Sequence, residues 1–522
     1  MKKSSILILF ALISGASPLL AEVKLASPFT SHMVLQREMK VPVWGTAESG
    51  EAVTVEFAGQ KVSATADTDG QWRVDLKPLA ASAESRTFIV TGSKTAQPIA
   101  LDDVLVGEVW LASGQSNMVF PVSKSRGAPY GLVNEEQEIA AANYPLIRMF
   151  TGRDTKIYEP QASVASEGWL VCSTNTVPGF SAVGYLFARN LQKELNVPVG
   201  IITEASGASC AEAWISREAL AADPQLKFML DSLDACESYF RASPSNRPAV
   251  APLHPTPINK PRAAGGRGGG GGDPARDQHF ATVLFNGMIN PVIPYAIRGA
   301  LWYQGESIAW GTPGLNLYGA VQRALIKDWR ARWGEGDFPF YLVQLPGQQN
   351  ISNNPRIREE QDSVLSVPNT AMAVTIDTGE AHNVHPKNKE PLGDRLTRIA
   401  LANVYGRKIE YYGPMYDSMK VEGGAIRVSF THLGGGLKAK GDTLKGFQIA
   451  GDDKKFVDAE AKIDGDTLVI SSAQVAAPVA VRYAWDNYPE GMGCNLYNAA
   501  GLPAAPFRSD KWDYPIPGIV EN

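Results

Sequence analysis

The sequence predicts an α/β protein: a doubly wound parallel-sheet domain flanked by β-rich modules. Three observations carry this. From Val104 to Arg407, short β-like runs alternate with amphipathic helical stretches, the pattern of a parallel sheet with right-handed crossovers. On either side the periodicity falls to two, with Gly, Asp and Asn separating short strands. And 522 residues exceed one ordinary core, so two or three domains are expected.

The chain begins MKKSSILILFALISGASPLLA. Lys2 and Lys3, an apolar run from Ile6 to Ile13, and small residues up to Ala21 read as a secretory signal peptide over residues 1–21. The apolar run is well short of the roughly 20 residues that span a bilayer. A periplasmic or secreted protein, with no membrane span after cleavage, is expected. Four cysteines in an oxidising compartment admit a disulfide. None sits in a CxxC pair, and no His/Cys cluster has zinc-ligand spacing. A net charge of −5 without a long basic run excludes a nucleic-acid footprint.

Residues 22–103 alternate through VPVWGTAESGEAVTVEFAGQ, and Asp69-Gly70 fits a tight hairpin needing positive φ, so an antiparallel β domain is expected. Residues 104–407 supply the expected strands Glu108–Ala112, Val199–Thr203, Gly299–Tyr303, Phe340–Gln344 and Ala371–Ile376. Between them fall the helices Val183–Leu195, Tyr318–Trp333, Ile357–Val367 and Pro391–Val404. Residues 244–277 are rich in Pro and Gly, with too few large apolar side chains to offset ordering entropy, and read as a disordered surface loop. Residues 408–522 return to short alternating strands, a second β module.

Open parallel sheets bind ligands beyond the carboxyl ends of their strands. Here every such end is polar and rich in glycine: SGQSN after the first, EASGAS after the second, QGES after the third, QLPGQ after the fourth, and DTGE, followed by His382 and His385, after the fifth. Ser116 is a candidate nucleophile, and a serine hydroxyl needs a base to take its proton. His385, in NVHPKNK, is the best-placed base, with Pro386 biasing its backbone towards extended; His382 competes. The N–H groups of Ser116 and Gly207 and the Gln304 amide are candidate oxyanion donors.

GQSNM, SGASCAEAW, LWYQGES and VHPKNK occur in the order of the sialate O-acetylesterase-like branch of the SGNH hydrolases, which the chain resembles over nearly all its mature length. HMVLQ, PVWGTA, DGQWRVDL, GFQIA, VRYAW and LYNAAGLPAAPF carry the same resemblance in the flanks. It implies an SGNH, flavodoxin-like three-layer α/β/α hydrolase domain flanked by β-rich modules, with Ser116 as nucleophile, Gly207 and Gln304 at the oxyanion hole, His385 as catalytic histidine, and no cofactor or metal. One position departs. Many SGNH enzymes carry an aspartate three residues before the histidine, and here that residue is His382. Either the pair works as a dyad, or an acid arrives from Asp377, Glu380 or Glu306.

The resemblance implies a secreted carbohydrate O-acetylesterase acting on sialic acid 9-O-acetyl esters, with acetylated xylan or another plant or algal glycan as alternative substrates. Asn117, Trp214, Tyr303, Trp310, Arg358 and Gln361 stand near the motifs as candidate substrate contacts. The competing class is a carbohydrate-binding protein without turnover, against which the intact Ser116 and His385 argue. A secreted serine peptidase is weaker, because no motif matches one.

Overall fold

One long strand organises the molecule. The structure, a computed structural model, describes residues 22–95, 97–124, 130–242, 273–308, 313–350 and 353–512. The expected signal peptide, most of the Pro/Gly-rich loop and Trp310 lie outside the described residues. Seven short strands come first: β1 (Lys24–Leu25), β2 (Val34–Gln36), β3 (Val41–Thr46), β4 (Ala52–Phe57), β5 (Gln60–Thr65), β6 (Gln71–Leu76) and β7 (Ser82–Gly92). Period two is visible in β4, where Val53, Val55 and Phe57 are buried. Gly70 has φ 75°, as its hairpin needs.

Strand β8 (Ile99–Gly114) serves two sheets' worth of pairing. Its first half pairs with β7 and β2, and its second half is the centre of the α/β sheet. With β9 (Asn143–Gly152), β10 (Ser166–Ser173), β11 (Val199–Ala205), β12 (Gly299–Tyr303), β13 (Phe340–Val343) and β14 (Thr370–Ala373), the order is β10-β9-β11-β8-β12-β13-β14. Only β10 runs antiparallel within it. The expected change of domain after Asp103 therefore falls inside a continuous strand, not in a linker. β9 and β10 escaped the sequence reading because Pro145 and the polar start of one, and Gly168 in the other, blur their alternation.

The helices are α1 (Ser116–Val119), α2 (Glu135–Ala141), α3 (Ala182–Leu195), α4 (Arg217–Ala222), α5 (Lys227–Ala242), α6 (Tyr318–Trp333), α7 (Asn354–Ser363) and α8 (Glu390–Asn403). Alternate residues of each buried strand serve different cores. Trp110, Ile201, Leu301 and Tyr341 join the face covered by α3 and α8. Leu111, Ile202, Trp302 and Leu342 join the opposite face with α6 and the N-terminal strands. Both faces covered is what near-continuous apolar strands require. Tyr318–Trp333 is α6 as expected, closed by Gly334 at φ 70°. Residues 415–508 form small antiparallel sheets over a third core, which reaches Val374 and Ile376 just beyond β14. The four cysteines are separate thiols, so the disulfide that the sequence admits is not formed; Cys172, Cys210 and Cys236 are buried.

Candidate active site

Consecutive crossovers leave β8 on opposite sides, towards β11 and then β12, so a crevice opens at its carboxyl end. The turn there is built by SGQSN. Gly114 has φ 133°, and a Cβ on it would stand 2.1 Å from the Tyr303 carbonyl oxygen, so only glycine lets β8 pass β12. Gln115 then accepts from the backbone N–H of Gly305 (3.2 Å) and Ser307 (3.3 Å), tying this turn to the QGES turn. Ser116 follows as the first residue of α1, half-buried.

His385 Nε2 lies 2.8 Å from Ser116 Oγ. Burial, and secondarily the Lys389 ammonium, lower the imidazole to about 4. At neutral pH the ring is therefore unprotonated and can accept a proton. The Tyr130 ring packs on it with centroids 4.5 Å apart. His382, the competitor, is exposed. The other ring-paired histidines bond Asp103, Asp277 and Glu410, away from Ser116.

Gly207 faces the serine: a Cβ built on it would lie 3.9 Å from Ser116 Cβ, with nothing else within 4 Å. Gln304 is fully buried; its Nε2 donates to the Ser209 carbonyl (2.9 Å), and its Oε1 accepts from the Tyr318 hydroxyl (2.6 Å). One of its two N–H donors is thus committed to the segment that carries Gly207.

None of the three candidate acids hydrogen-bonds the His385 ring among the described residues. Asp377 takes a bidentate pair from Arg395 (2.8 and 2.7 Å) and the Tyr497 hydroxyl (3.0 Å). Burial would raise its pKa, but Arg395 outweighs that and holds it low. Glu380 staples the histidine loop instead, accepting from Asn383 Nδ2 (2.9 Å) and the Lys387 N–H (2.6 Å). Glu306 accepts from Asn117 Nδ2 at 2.5 Å, and burial raises its pKa. Asn383, two residues before the histidine, acts on the backbone, its Oδ1 accepting the His385 N–H and its Nδ2 donating to the His385 carbonyl.

Several expected substrate contacts are interior. Trp214 is fully buried, its Nε1 donating to Ser209 Oγ (3.0 Å) and its ring edge-on to Trp302, so it offers no face to a sugar. Tyr303 is equally buried. Arg358 donates to the carbonyls of Leu345 (2.8 Å), Asp486 (2.7 Å) and Pro346 (3.1 Å), and Gln361 bonds Val343 and Leu345. Both shape the loop after β13 rather than face the crevice. Asn117 is buried, bonding Glu306, the Val384 carbonyl and Lys389. Sequence reasoning missed Lys389 and Tyr130. Lys389 stood inside VHPKNK, where only its burial would have singled it out; Tyr130 carried no signal at all.

Against known proteins, residues 278–402 match the family described as carbohydrate esterase, sialic acid-specific acetylesterase. The mouse sialate O-acetylesterase is 28% identical over 555 residues, covering 93% of this chain and 94% of its own. The human sialate O-acetylesterase is 29% identical over 533 residues, covering 93% and 92%. Among solved structures, a carbohydrate acetylesterase from Xanthomonas citri is 32% identical, covers 94% of this chain and 100% of its own, and superposes with a TM-score of 0.78.

Proposed function

Because the chain belongs to the sialic acid-specific acetylesterase family of carbohydrate esterases, we propose that this carboxylic ester hydrolase removes O-acetyl groups from sialic acid, with Ser116 and His385 as its catalytic residues. The observation that carries the reading is the 2.8 Å contact between His385 Nε2 and Ser116 Oγ at a sheet's carboxyl edge. Ser116 Oγ attacks the acetyl carbonyl while His385 Nε2 takes its proton. The Ser116 and Gly207 N–H groups, with the free N–H of the Gln304 amide, hold the oxyanion; one such donor is worth about 10²–10³ in rate. Collapse breaks the ester bond, and His385 returns the proton to the departing sugar oxygen. Water then attacks the acetyl-serine with His385 again as base, releasing acetate.

The absence of a carboxyl on the imidazole among the described residues supports a dyad, oriented by the Asn383 staple. We read the sheet with helices on both faces as the SGNH three-layer arrangement. The amino-terminal 21 residues supply the export signal, and the mature enzyme works in the periplasm or outside the cell. Among the described residues no helix is long and apolar enough to cross a membrane.

The test is acetate release by the wild type and Ser116→Ala on 9-O-acetylated sialic acid and acetylated xylan in parallel. Release from the sialic acid that vanishes in a folded Ser116→Ala protein is expected. Preference for xylan moves the substrate to plant glycans, and release that survives the substitution removes Ser116 from the mechanism.

A further inference from the structure

Behind the Ser116–His385 pair lies a buried chain of polar groups that ester hydrolysis does not by itself require. Lys389, 2% exposed, is the residue that enters α8. Its ammonium sits 4.9 Å from the centre of the Phe120 ring and 5.0 Å from that of Tyr303, and it donates to Asn117 Oδ1 at 2.5 Å. An ammonium can only donate, so it dictates which end of the Asn117 amide turns towards it. The other end, Nδ2, is left to donate to Glu306 Oε1 (2.5 Å) and to the Val384 carbonyl (2.9 Å).

The register of these bonds is what matters. Asn117 follows the nucleophile and Val384 precedes the histidine. The two segments are therefore tied twice, by side chains at Ser116 and His385 and by amide to carbonyl one residue away. If the Asn117 amide turned over, its oxygen would face the Glu306 carboxyl and the Val384 carbonyl, acceptor against acceptor. Lys389 excludes that state.

We propose that Lys389 is a positioning residue for the Ser116–His385 pair: it locks the Asn117 amide in the orientation that clamps the His385 segment. This rests on the esterase reading above. The groups facing His385 are Ser116 and the Tyr130 ring across the crevice, Glu380, His382 and Lys387 on its own loop, and Lys389 with Glu306 behind Asn117. Apart from burial, Lys389 is the one whose charge lowers the imidazole. Burial lowers Lys389 itself to about 7, with Glu306 and Glu380 opposing, so the ammonium is fully charged at the acidic pH where His385 titrates.

Two full-length variants separate the parts. Lys389→Met keeps the apolar stem and removes both donor and charge. Asn117→Ala removes the clamp and leaves the charge. The readouts are kcat and KM on an activated acetyl ester across pH, and the titration of the ¹³C-labelled His385 ring by NMR, assigned with His385→Ala. For Lys389→Met, kcat falls about 10- to 100-fold, as misplacement of reacting groups does, and KM changes little. The acid limb of kcat/KM and the NMR midpoint both rise above about 4 but stay below the ordinary 6.5, because burial, the larger cause of the lowering, remains. Asn117→Ala loses kcat similarly while its midpoint stays low. A folded Lys389→Met protein with the wild-type kcat and midpoint overturns the proposal, as does Asn117→Ala with the wild-type kcat should Lys389→Met not fold. The NMR titration needs no turnover, so failure of the esterase reading, seen as a wild type without acetate release, is distinguished from failure of the clamp.

Discussion

The two β-rich regions of this molecule attach to the same α/β sheet in opposite ways. The N-terminal region is continuous with it: β8 passes from one to the other without a break, and residues such as Val34, Val53 and Trp72 share a core with Leu111 and Trp302. At that junction Glu108, fully buried, is held by Arg37 (2.5 Å) and Arg298 (2.8 Å). Among the described residues the C-terminal module shares no strand with that sheet, and it docks through its loops and side chains instead. Glu490 accepts the Gly379 N–H (2.5 Å), the Asn487 carbonyl takes the Gln348 N–H (2.9 Å), Tyr497 reaches Asp377, and Arg358 spans the seam by holding the carbonyl of Asp486. These contacts fall on α7 and on the loops that follow β13 and β14, beside the histidine segment. One region is thus part of the sheet's foundation, and the other is a buttress for strand-end loops. The difference teaches that damage of equal energy to the two regions should have unequal effects on chemistry.

Arg358→Met tests the buttress most severely. It strips donors from the buried carbonyls of Leu345 and Pro346, each costing about 1–3 kcal/mol when left unpaired, and from the carbonyls of Asp486 and Asn487 across the seam. A fall in Tm is expected together with a loss of about 10²-fold in kcat/KM, because the loop after β13 is freed. Leu76→Ala is the counterpart in the N-terminal region. Leu76 is fully buried in β6, and its truncation should cost about 2–5 kcal/mol in denaturant unfolding. Activity of the folded fraction should stay near the wild type; a comparable loss of kcat in both variants would erase the distinction between the regions. Asp377→Asn, which leaves the nearly buried Arg395 without its carboxylate, is expected to weaken stability by about 3 kcal/mol and kcat/KM by about tenfold. Were Asp377 the triad acid after all, the loss would instead approach the 10⁴-fold seen when such an acid is neutralised.

The smallest effect is in pH. In the proposed mechanism His385 must be neutral to act, so the rate should hold as pH falls from 7 to 5 and drop only through about 4. Stability follows the same sign. The unfolded imidazole binds its proton near 6.5 and the folded one near 4, so over that interval protonation favours unfolding, and His385's contribution to stability declines as pH falls. A kcat/KM profile with its acid limb near 6.5 would place the histidine in open solvent rather than under Tyr130.

How far each level reached can be read from particular residues. The amino-acid sequence by itself determined the α/β core: strands such as GALWY and helices such as Tyr318–Trp333 are long or apolar enough for local periodicity to specify them, and β12 and α6 have those bounds in the structure. It also determined the residues that converge, because polar, glycine-rich strand ends are read along the chain and Ser116 and His385 do meet. Tertiary structure alone decided orientation and partnership. Whether Asp377 turns to the imidazole or to Arg395, whether Trp214 shows a face to solvent, and whether Lys389 is a surface charge or a buried clamp all depend on how the folded chain packs these groups. That holds whether the partners are 5 residues apart, as Trp214 and Ser209 are, or 272, as Lys389 and Asn117 are. A carboxylate is taken by whichever donor the packing brings nearest, and a side chain's proton affinity is set by its burial and neighbours. Neither quantity is a property of the chain until it folds.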